Sequence, residues 1–244
     1  MYKKISTIFV MIIVMLSFVA CGNQKESNKG NANDSEIVAV HIGDVNIYLD
    51  EARYYLYTSQ ASYETYYLTK DTEIDWKSEM KEGVTWEEFV KGATLDDLCR
   101  RECMYSLREQ YNISLTEEEK QEVQKMAGAY LSNTAENLQR KIGISDKRLK
   151  QIFEKKLIAG KVTDILEAMN AEKNEAGDDE NVTGEKTNQK ANAIYKKWKS
   201  EHEVRVEECF RKIHFDEPVF TKESLTETPL VTEEITTAGQ LKRE

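Results

Sequence analysis

Proline is almost absent from this sequence of 244 residues, and its scarcity limits the folds that the chain can adopt. Both prolines, Pro218 and Pro229, lie near the end of the chain, and glycine occurs only 11 times. Proline and glycine are the residues that interrupt helices most strongly, so a long stretch with few of either, rich in Glu, Lys, Leu and Ala, favours helix. The sequence therefore predicts a mainly α fold.

Two capping boxes predict where helices begin. Thr85 with Glu88, and Thr116 with Glu119, pair a hydroxyl and a carboxylate that satisfy the free amides of a first helical turn. The first box predicts a helix running to about Asn112. The second predicts one helix with the apolar stripe Val123, Met126, Ala127, Tyr130, Leu131, Thr134 and Leu138. Ser145 is expected to cap a further helix, whose stripe ends at Met169.

A small hairpin is predicted ahead of the first helix. Residues 37–42 form an apolar strand candidate, Gly43 and Asp44 a turn, and residues 45–48 an alternating return strand. The helix that follows is rich in tyrosine: Tyr54, Tyr55, Tyr57, Tyr63, Tyr66 and Tyr67. Adjacent helix positions point about 100° apart, so these rings cannot all face one core. We expect the exposed ones to bind a partner, or alternatively to cover the loop at 70–83 and Trp76.

The first twenty residues have the layout of a secretory signal. The sequence opens MYKK, and an uncharged apolar run, Ile5 to Ala20, follows. This run is short for a membrane span, which needs about 20 apolar residues. It ends in VACG, and a small residue directly before a cysteine resembles the lipobox of bacterial lipoproteins. We therefore expect cleavage before Cys21 and a lipid on Cys21 that anchors the protein to the outer face of the cell membrane; the alternative is an ordinary cleavage site and a chance cysteine.

The charge of the chain argues against binding to nucleic acid. The net charge is −10, and removal of residues 1–20, which contain two lysines and no acid, makes it −12. Phosphate contacts need clustered Lys and Arg, and an anionic membrane surface would repel such a chain. We expect no nucleic-acid partner, and membrane contact through the lipid alone.

No catalytic or cofactor motif is evident. The sequence has no Gly-rich phosphate loop, no nucleophile elbow and no histidine pair at ligand spacing, so we expect no catalytic residue, no cofactor and no metal. Cys99 and Cys103 lie four apart on a predicted helix, a spacing that rarely meets disulfide geometry. With Cys209 they are predicted to be inert thiols; a bridge from Cys209 to one of them is the alternative.

The predicted domains follow from composition. Residues 171–187 are acidic and polar, which predicts a linker, and Ala191, Ile194, Tyr195 and Trp198 then mark an amphipathic helix expected to pack on the body with both aromatic residues buried. Val204 and Val206 are expected to pair with the hairpin. The predicted order is signal peptide 1–20, disordered tether 21–35, helical domain 36–170, linker 171–187, returning helix and strand 188–215, and disordered tail 216–244.

This order of parts resembles the N-terminal chaperone domain of the SurA and PrsA foldases. That family has a hairpin reading roughly V-x-V-x-G-x-x-I-x-x-x-E, matched here by Val38, Val40, Gly43, Ile47 and Glu51. A later helix start of the family is matched by Ile113, Leu115, Thr116, Glu117 and Glu119. The resemblance covers roughly residues 36–170 and implies a SurA-N-like helical fold that binds unfolded secreted proteins.

The sequence departs from the family where a parvulin isomerase domain usually lies. The interval 171–187 is far shorter than the roughly 50 residues of a domain. We therefore expect a chaperone-like lipoprotein that is not an enzyme. The alternatives are a structural or interaction lipoprotein with one dedicated partner and an active peptidyl-prolyl isomerase.

Overall fold

The computed structural model describes residues 34–174 and 189–222. This part of the chain is mostly helical with a small antiparallel sheet, which confirms the mainly α prediction. In chain order its elements are β1 (Val38–Ile42), β2 (Val45–Tyr48), α1 (Leu49–Leu68), β3 (Glu79–Lys81), β4 (Val84–Thr85), α2 (Trp86–Ser106), α3 (Glu117–Asn133), α4 (Glu136–Ile142), α5 (Asp146–Asn174), α6 (Gln189–Glu201), β5 (Val204–Val206) and α7 (Glu208–Arg211).

The predicted hairpin and the return of the chain to it are both present. Strand β1 lies between β2 and β5 and is antiparallel to both, with Val40 opposite Ile47 on one side and Val206 on the other. The turn uses Gly43 at φ +56, a left-handed conformation that glycine adopts without strain. The amide of Gly43 also donates to the carbonyl of Glu203 at 2.9 Å, which ties the turn to the chain entering β5.

Helix α1 contributes side chains to two cores. Leu56 lies in the first core with Val40 of the sheet, Cys103 of α2 and Val162 of α5. The second core combines α1 with α3, α4 and the start of α5; its buried members include Tyr54, Ala61, Val123, Leu138, Ile152 and Phe153. Burial of apolar surface in both cores is what holds α1 in place.

Two predicted helices end earlier than expected, although both capping boxes form as predicted. Helix α2 ends at Ser106; the chain then turns, and Asn112 has φ +52, which ends any continuation of the helix. Helix α3 ends at Asn133, and its apolar stripe resumes in the separate helix α4. The side chain of Gln139 donates to the carbonyls of Leu131 and Thr134, both at 2.6 Å, and so satisfies groups that a continuous helix would have paired.

Helix α6 packs on α2 and α5 as predicted, but only one of its two aromatic residues is buried. Tyr195 is 5% exposed, and its hydroxyl donates to Asp96 Oδ1 at 2.8 Å. Trp198 is half-buried, which corrects the prediction, because it lies at the border of the packed face and stacks on the ring of His202 at 4.2 Å.

The predicted domain borders also need correction. Helix α5 continues to Asn174, inside the predicted linker, and the predicted tail from residue 216 starts with an ordered segment in which Val219 is buried. The apolar pair Val219–Phe220 finds partners on distant elements, which composition does not reveal. The signal peptide, Cys21, nearly all of the tether, the linker from residue 175 and the tail beyond residue 222 lie outside the described residues.

None of the helices in the described residues combines the length and the apolar character that crossing a membrane requires.

Candidate functional site: a groove that holds the C-terminal strap

An extended segment at the end of the described chain lies against α1. We call residues 215–222 the strap. It begins at Phe215, which is 2% exposed and packs its ring against Trp76 with centroids 4.8 Å apart. The amide of Phe215 donates to Glu87 Oε2 at 2.9 Å, so side-chain packing and a charged acceptor on α2 both fix the start of the strap.

A single buried carboxylate binds the middle of the strap. Glu64 of α1 is 5% exposed, and its Oε2 accepts the backbone amides of Val219 at 2.7 Å and Phe220 at 2.8 Å. Its Oε1 accepts from Gln60 Nε2 at 2.8 Å and from Trp76 Nε1 at 3.1 Å. Burial raises the pKa of Glu64, and these four neutral donors act in the opposite direction.

The contacts to the strap are mostly contacts to its main chain. Besides the two amides held by Glu64, the carbonyl of Glu217 accepts from Gln60 Nε2 at 2.9 Å and from Lys141 Nζ at 3.1 Å. Val219 places its side chain in the second core, and the half-buried ring of Phe220 packs against that core. The groove therefore recognises an extended backbone and two consecutive apolar side chains.

A cleft of about 360 Å³ lies beside the strap. Its apolar lining consists of Leu68, Ile74, Trp76, Phe215, Pro218 and Phe220. Its charged lining consists of Glu64, Glu73, Asp75, Lys77 and Asp216. A cleft of this size accommodates a small ligand or one or two side chains of a peptide. Because all four donors to Glu64 are fixed, its arrangement suits binding better than proton transfer.

The six predicted binding tyrosines do not form one exposed surface. Tyr54 and Tyr55 are 3% and 9% exposed and belong to the second core. Tyr57, Tyr63, Tyr66 and Tyr67 are half-buried. Tyr67 packs edge-on against Trp86 at 5.3 Å, so rings at the end of α1 cover the start of α2. Whether the half-buried rings bind a partner stays a prediction, and Leu68, the next residue after Tyr67, lines the cleft.

Sequence reasoning missed both Glu64 and the strap. One signal was present: a single acid, Glu64, in the middle of a helix segment rich in aromatic and small residues. A second was the apolar pair Val219–Phe220 directly after a proline. Neither signal identifies its partner, because the contact joins positions 155 residues apart.

A separate cluster of buried charges lies between α1, α2 and α5. Glu102 pairs with Lys155 Nζ at 2.7 Å, and Asp50 lies 3.5 Å from Arg148 Nε. Burial raises the pKa of Glu51 to about 7; Lys155 opposes this rise, and Glu102 adds to it. None of these groups lines the cleft beside the strap.

The cysteines of the described chain are free. Cys99 and Cys103 are buried, and burial raises the pKa of each thiol to about 11, which makes them unreactive at neutral pH. Cys209 lies beside the sheet, with its Sγ 3.4 Å from the carbonyl oxygen of Val38, so the alternative of a bridge to α2 is not realised. Within residues 34–174 and 189–222 there is also no group of His, Cys, Asp and Glu side chains that would hold a metal ion.

Comparison with known proteins gives no match: no protein-family model, no curated protein sequence and no solved structure matches this chain.

Proposed function

We propose that this protein is a membrane-anchored extracytoplasmic lipoprotein that binds unfolded secreted polypeptides in the manner of a chaperone, without isomerase catalysis. The lipid on Cys21 would be its anchor. The resemblance of residues 36–170 to the SurA and PrsA chaperone domain is part of this proposal. The observation that carries it is the groove on α1, where Glu64 accepts two consecutive backbone amides.

Recognition of main-chain atoms suits an unfolded client. Every extended polypeptide offers free amides and carbonyls, whatever its side chains, so a groove that binds them accepts many sequences. The charge on Glu64 strengthens both bonds, because hydrogen bonds to an ionised acceptor are stronger than those between neutral groups. The apolar walls at Leu68, Ile74 and Trp76 add affinity for apolar client residues.

A dedicated partner is the second candidate, and the surface of the described chain favours it in one respect. Large hydrophobic residues that are exposed, by 36–41%, are limited in residues 34–174 and 189–222 to Ile37, Met126 and Met169. Each is separate from the others along the chain, whereas binding sites for many clients usually present a larger apolar patch. An interaction lipoprotein with one partner would need no such patch.

Aggregation kinetics separate the two candidates. We expect the purified protein to slow the aggregation of several unrelated unfolded proteins. Leu68→Asp, which places a charge in the cleft wall, should weaken this effect, whereas Met169→Asp on the exposed face of α5 should not. Circular dichroism confirms that both variants are folded.

Other results of the aggregation assay would favour a different function or a different binding site. Protection of only one protein would favour the dedicated partner, and protection of none would contradict the chaperone proposal. Full protection by Leu68→Asp would move the binding site away from the groove. A proline-peptide assay on the same preparation should show no acceleration of X-Pro isomerisation, and a rate that rises with protein concentration would make the protein an isomerase.

A further inference from the structure

We propose that the strap is a built-in competitor: it occupies the groove that an incoming polypeptide uses, and binding of that polypeptide requires the strap to leave. This inference rests on the proposed function and names how the site is regulated and which peptides it accepts. It is carried by the contacts between the strap and α1.

The groove is costly to leave empty. Without the strap, Glu64 Oε2 would lose both of its amide donors, and a buried carboxylate without donors is strongly unfavourable. The apolar site filled by Val219 in the second core would open as well. An occupant is therefore required, and any other extended chain that supplies the same atoms competes with the strap for these contacts.

The strap is anchored so that its middle is able to leave while its start stays. Phe215 is held in the first core and by Glu87, independently of Glu64. Asp216, the next residue, has a side chain 64% exposed, and its ion pair with Lys77, at 3.4 Å, is exposed as well. Surface pairs of this kind contribute little, so residue 216 offers a point where the chain changes direction at small cost.

The contacts also define the peptides that fit. The residues in the places of Val219 and Phe220 must each have a backbone N–H, so proline is excluded from both places. The place of Pro218 needs no amide, and proline is accepted there. The place of Val219 takes a small apolar side chain, because Val219 is only 7% exposed and is surrounded by apolar residues. Because Phe220 also packs against the second core, the expected ligand is an extended segment with an aliphatic residue followed by an apolar residue other than proline.

Peptide binding to the full-length protein tests this inference. The probe is a fluorescent peptide with the sequence of residues 215–222. Val219→Asp should release the strap, because it would bury a charge in the second core, and should raise the affinity for the probe at least tenfold over wild type, since a tethered competitor acts at millimolar effective concentration. Met126→Asp, which introduces the same charge at an exposed position of α3, should bind the probe like wild type.

A backbone change in the probe tests the contact itself. A peptide N-methylated at the amide of the residue equivalent to Phe220 keeps every side chain but loses one donor to Glu64, and it should bind Val219→Asp at least tenfold more weakly than the unmodified probe. Equal affinity of wild type and folded Val219→Asp for the unmodified probe would overturn the proposal, as would unchanged binding of the methylated peptide.

Hydrogen exchange covers the case in which Val219→Asp does not fold. In the wild-type protein, an excess of unlabelled peptide should speed amide exchange in the strap, and unchanged exchange with bound peptide, or no binding at all, would overturn the proposal. None of these measurements uses aggregation. Peptide displacement without any protection of unfolded proteins would therefore contradict the chaperone function and leave the competitor role intact.

Discussion

Two buried glutamates on α1 illustrate how neighbours decide the role of a charge. Glu64 is surrounded by neutral donors that stabilise its ionised form. Glu51 is buried as well, at 3% exposed. Its charged neighbours include the acids Asp50 and Glu102 in addition to Lys155. The two acids raise its pKa further, so Glu51 takes up a proton near neutral pH.

This difference predicts a dependence of stability on pH. The pKa of Glu51 rises from 4.5 to about 7 on folding, so between these pH values the native state binds a proton that the unfolded state has lost. The free energy of unfolding therefore falls as the pH rises through this window, by up to about 3 kcal/mol from this residue. Glu51→Gln removes the titrating group and keeps the volume, so it should be more stable than wild type at pH 8.

Urea denaturation from pH 4.5 to pH 8 measures the effect. The difference in unfolding free energy between Glu51→Gln and wild type should grow in favour of the variant as the pH rises. Glu122→Gln, with a side chain 60% exposed, serves as the control and should show no such trend. A constant difference for Glu51→Gln would mean that this carboxyl has an ordinary pKa.

For individual residues, contacts within one helical turn were predictable from the sequence, and contacts between positions far apart in the chain were not. Both capping boxes were read correctly, because Thr85 with Glu88 and Thr116 with Glu119 lie within one turn. Three of the four donors to Glu64 come from positions 12, 155 and 156 residues away. Trp198 is half-buried and stacks on His202, which follows the end of α6. Helical periodicity does not specify how a helix ends, so it did not reveal this contact.

Among the elements, the hairpin controls how the C-terminal part returns to the body. The turn at Gly43 touches the segment that joins α6 to β5, and β5 then completes the sheet. This return was predictable, since Val204 and Val206 alternate after an amphipathic helix. The break between α3 and α4 was not, because one continuous stripe of apolar residues crosses it.

The close contact at Gly43 predicts an unusually costly alanine substitution. A Cβ at Gly43 would lie 2.8 Å from His202 Cδ2, in addition to the strain of φ +56. Gly83 has φ +71 with no atom within 4 Å of such a Cβ, which makes it a matched control. Gly83→Ala should cost about 1–2 kcal/mol from the left-handed backbone alone, and Gly43→Ala about 2–4 kcal/mol.

Thermal and urea denaturation of both variants test this comparison. Adding His202→Ala should bring the cost of Gly43→Ala close to that of Gly83→Ala, because it removes the atom that the new Cβ meets. Equal costs for the two single variants would show that the turn at Gly43 adjusts freely, and that it does not fix the path of the chain into β5.

For the whole molecule, the sequence allowed the fold class and most of the order of elements to be predicted, but not the short hairpin of β3 and β4, the break before α4 or the groove. Composition and helical periodicity report on helices, and these were largely correct. The tail beyond residue 216 was predicted to be disordered because its apolar content is low. Two apolar residues and four hydrogen bonds to the backbone hold its first part in place.

Membrane attachment through Cys21 is a prediction about the whole molecule, and Cys21 lies outside the described residues. Cys21→Ser removes the thiol to which the lipid would be attached. We expect the variant either to leave the membrane fraction or to remain unprocessed, as judged by fractionation and by its mobility on a gel. Ala20→Ser, which keeps a small residue before the cysteine, is the control and should behave like wild type. A cleaved Cys21→Ser that stays in the membrane fraction would contradict the lipid anchor.

Site-specific photo-crosslinking tests most directly whether unfolded polypeptide binds in the groove on α1. A photoreactive residue replaces either Leu68, in the cleft wall, or Lys197, on the outer face of α6, where the side chain is 78% exposed. Each protein is mixed with a chemically unfolded client and irradiated, and adducts are located by mass spectrometry. We predict adducts at position 68 that excess strap peptide suppresses, and few at position 197. Adducts of equal yield at both positions, or none at position 68 while the client is bound, would contradict a binding site in this groove.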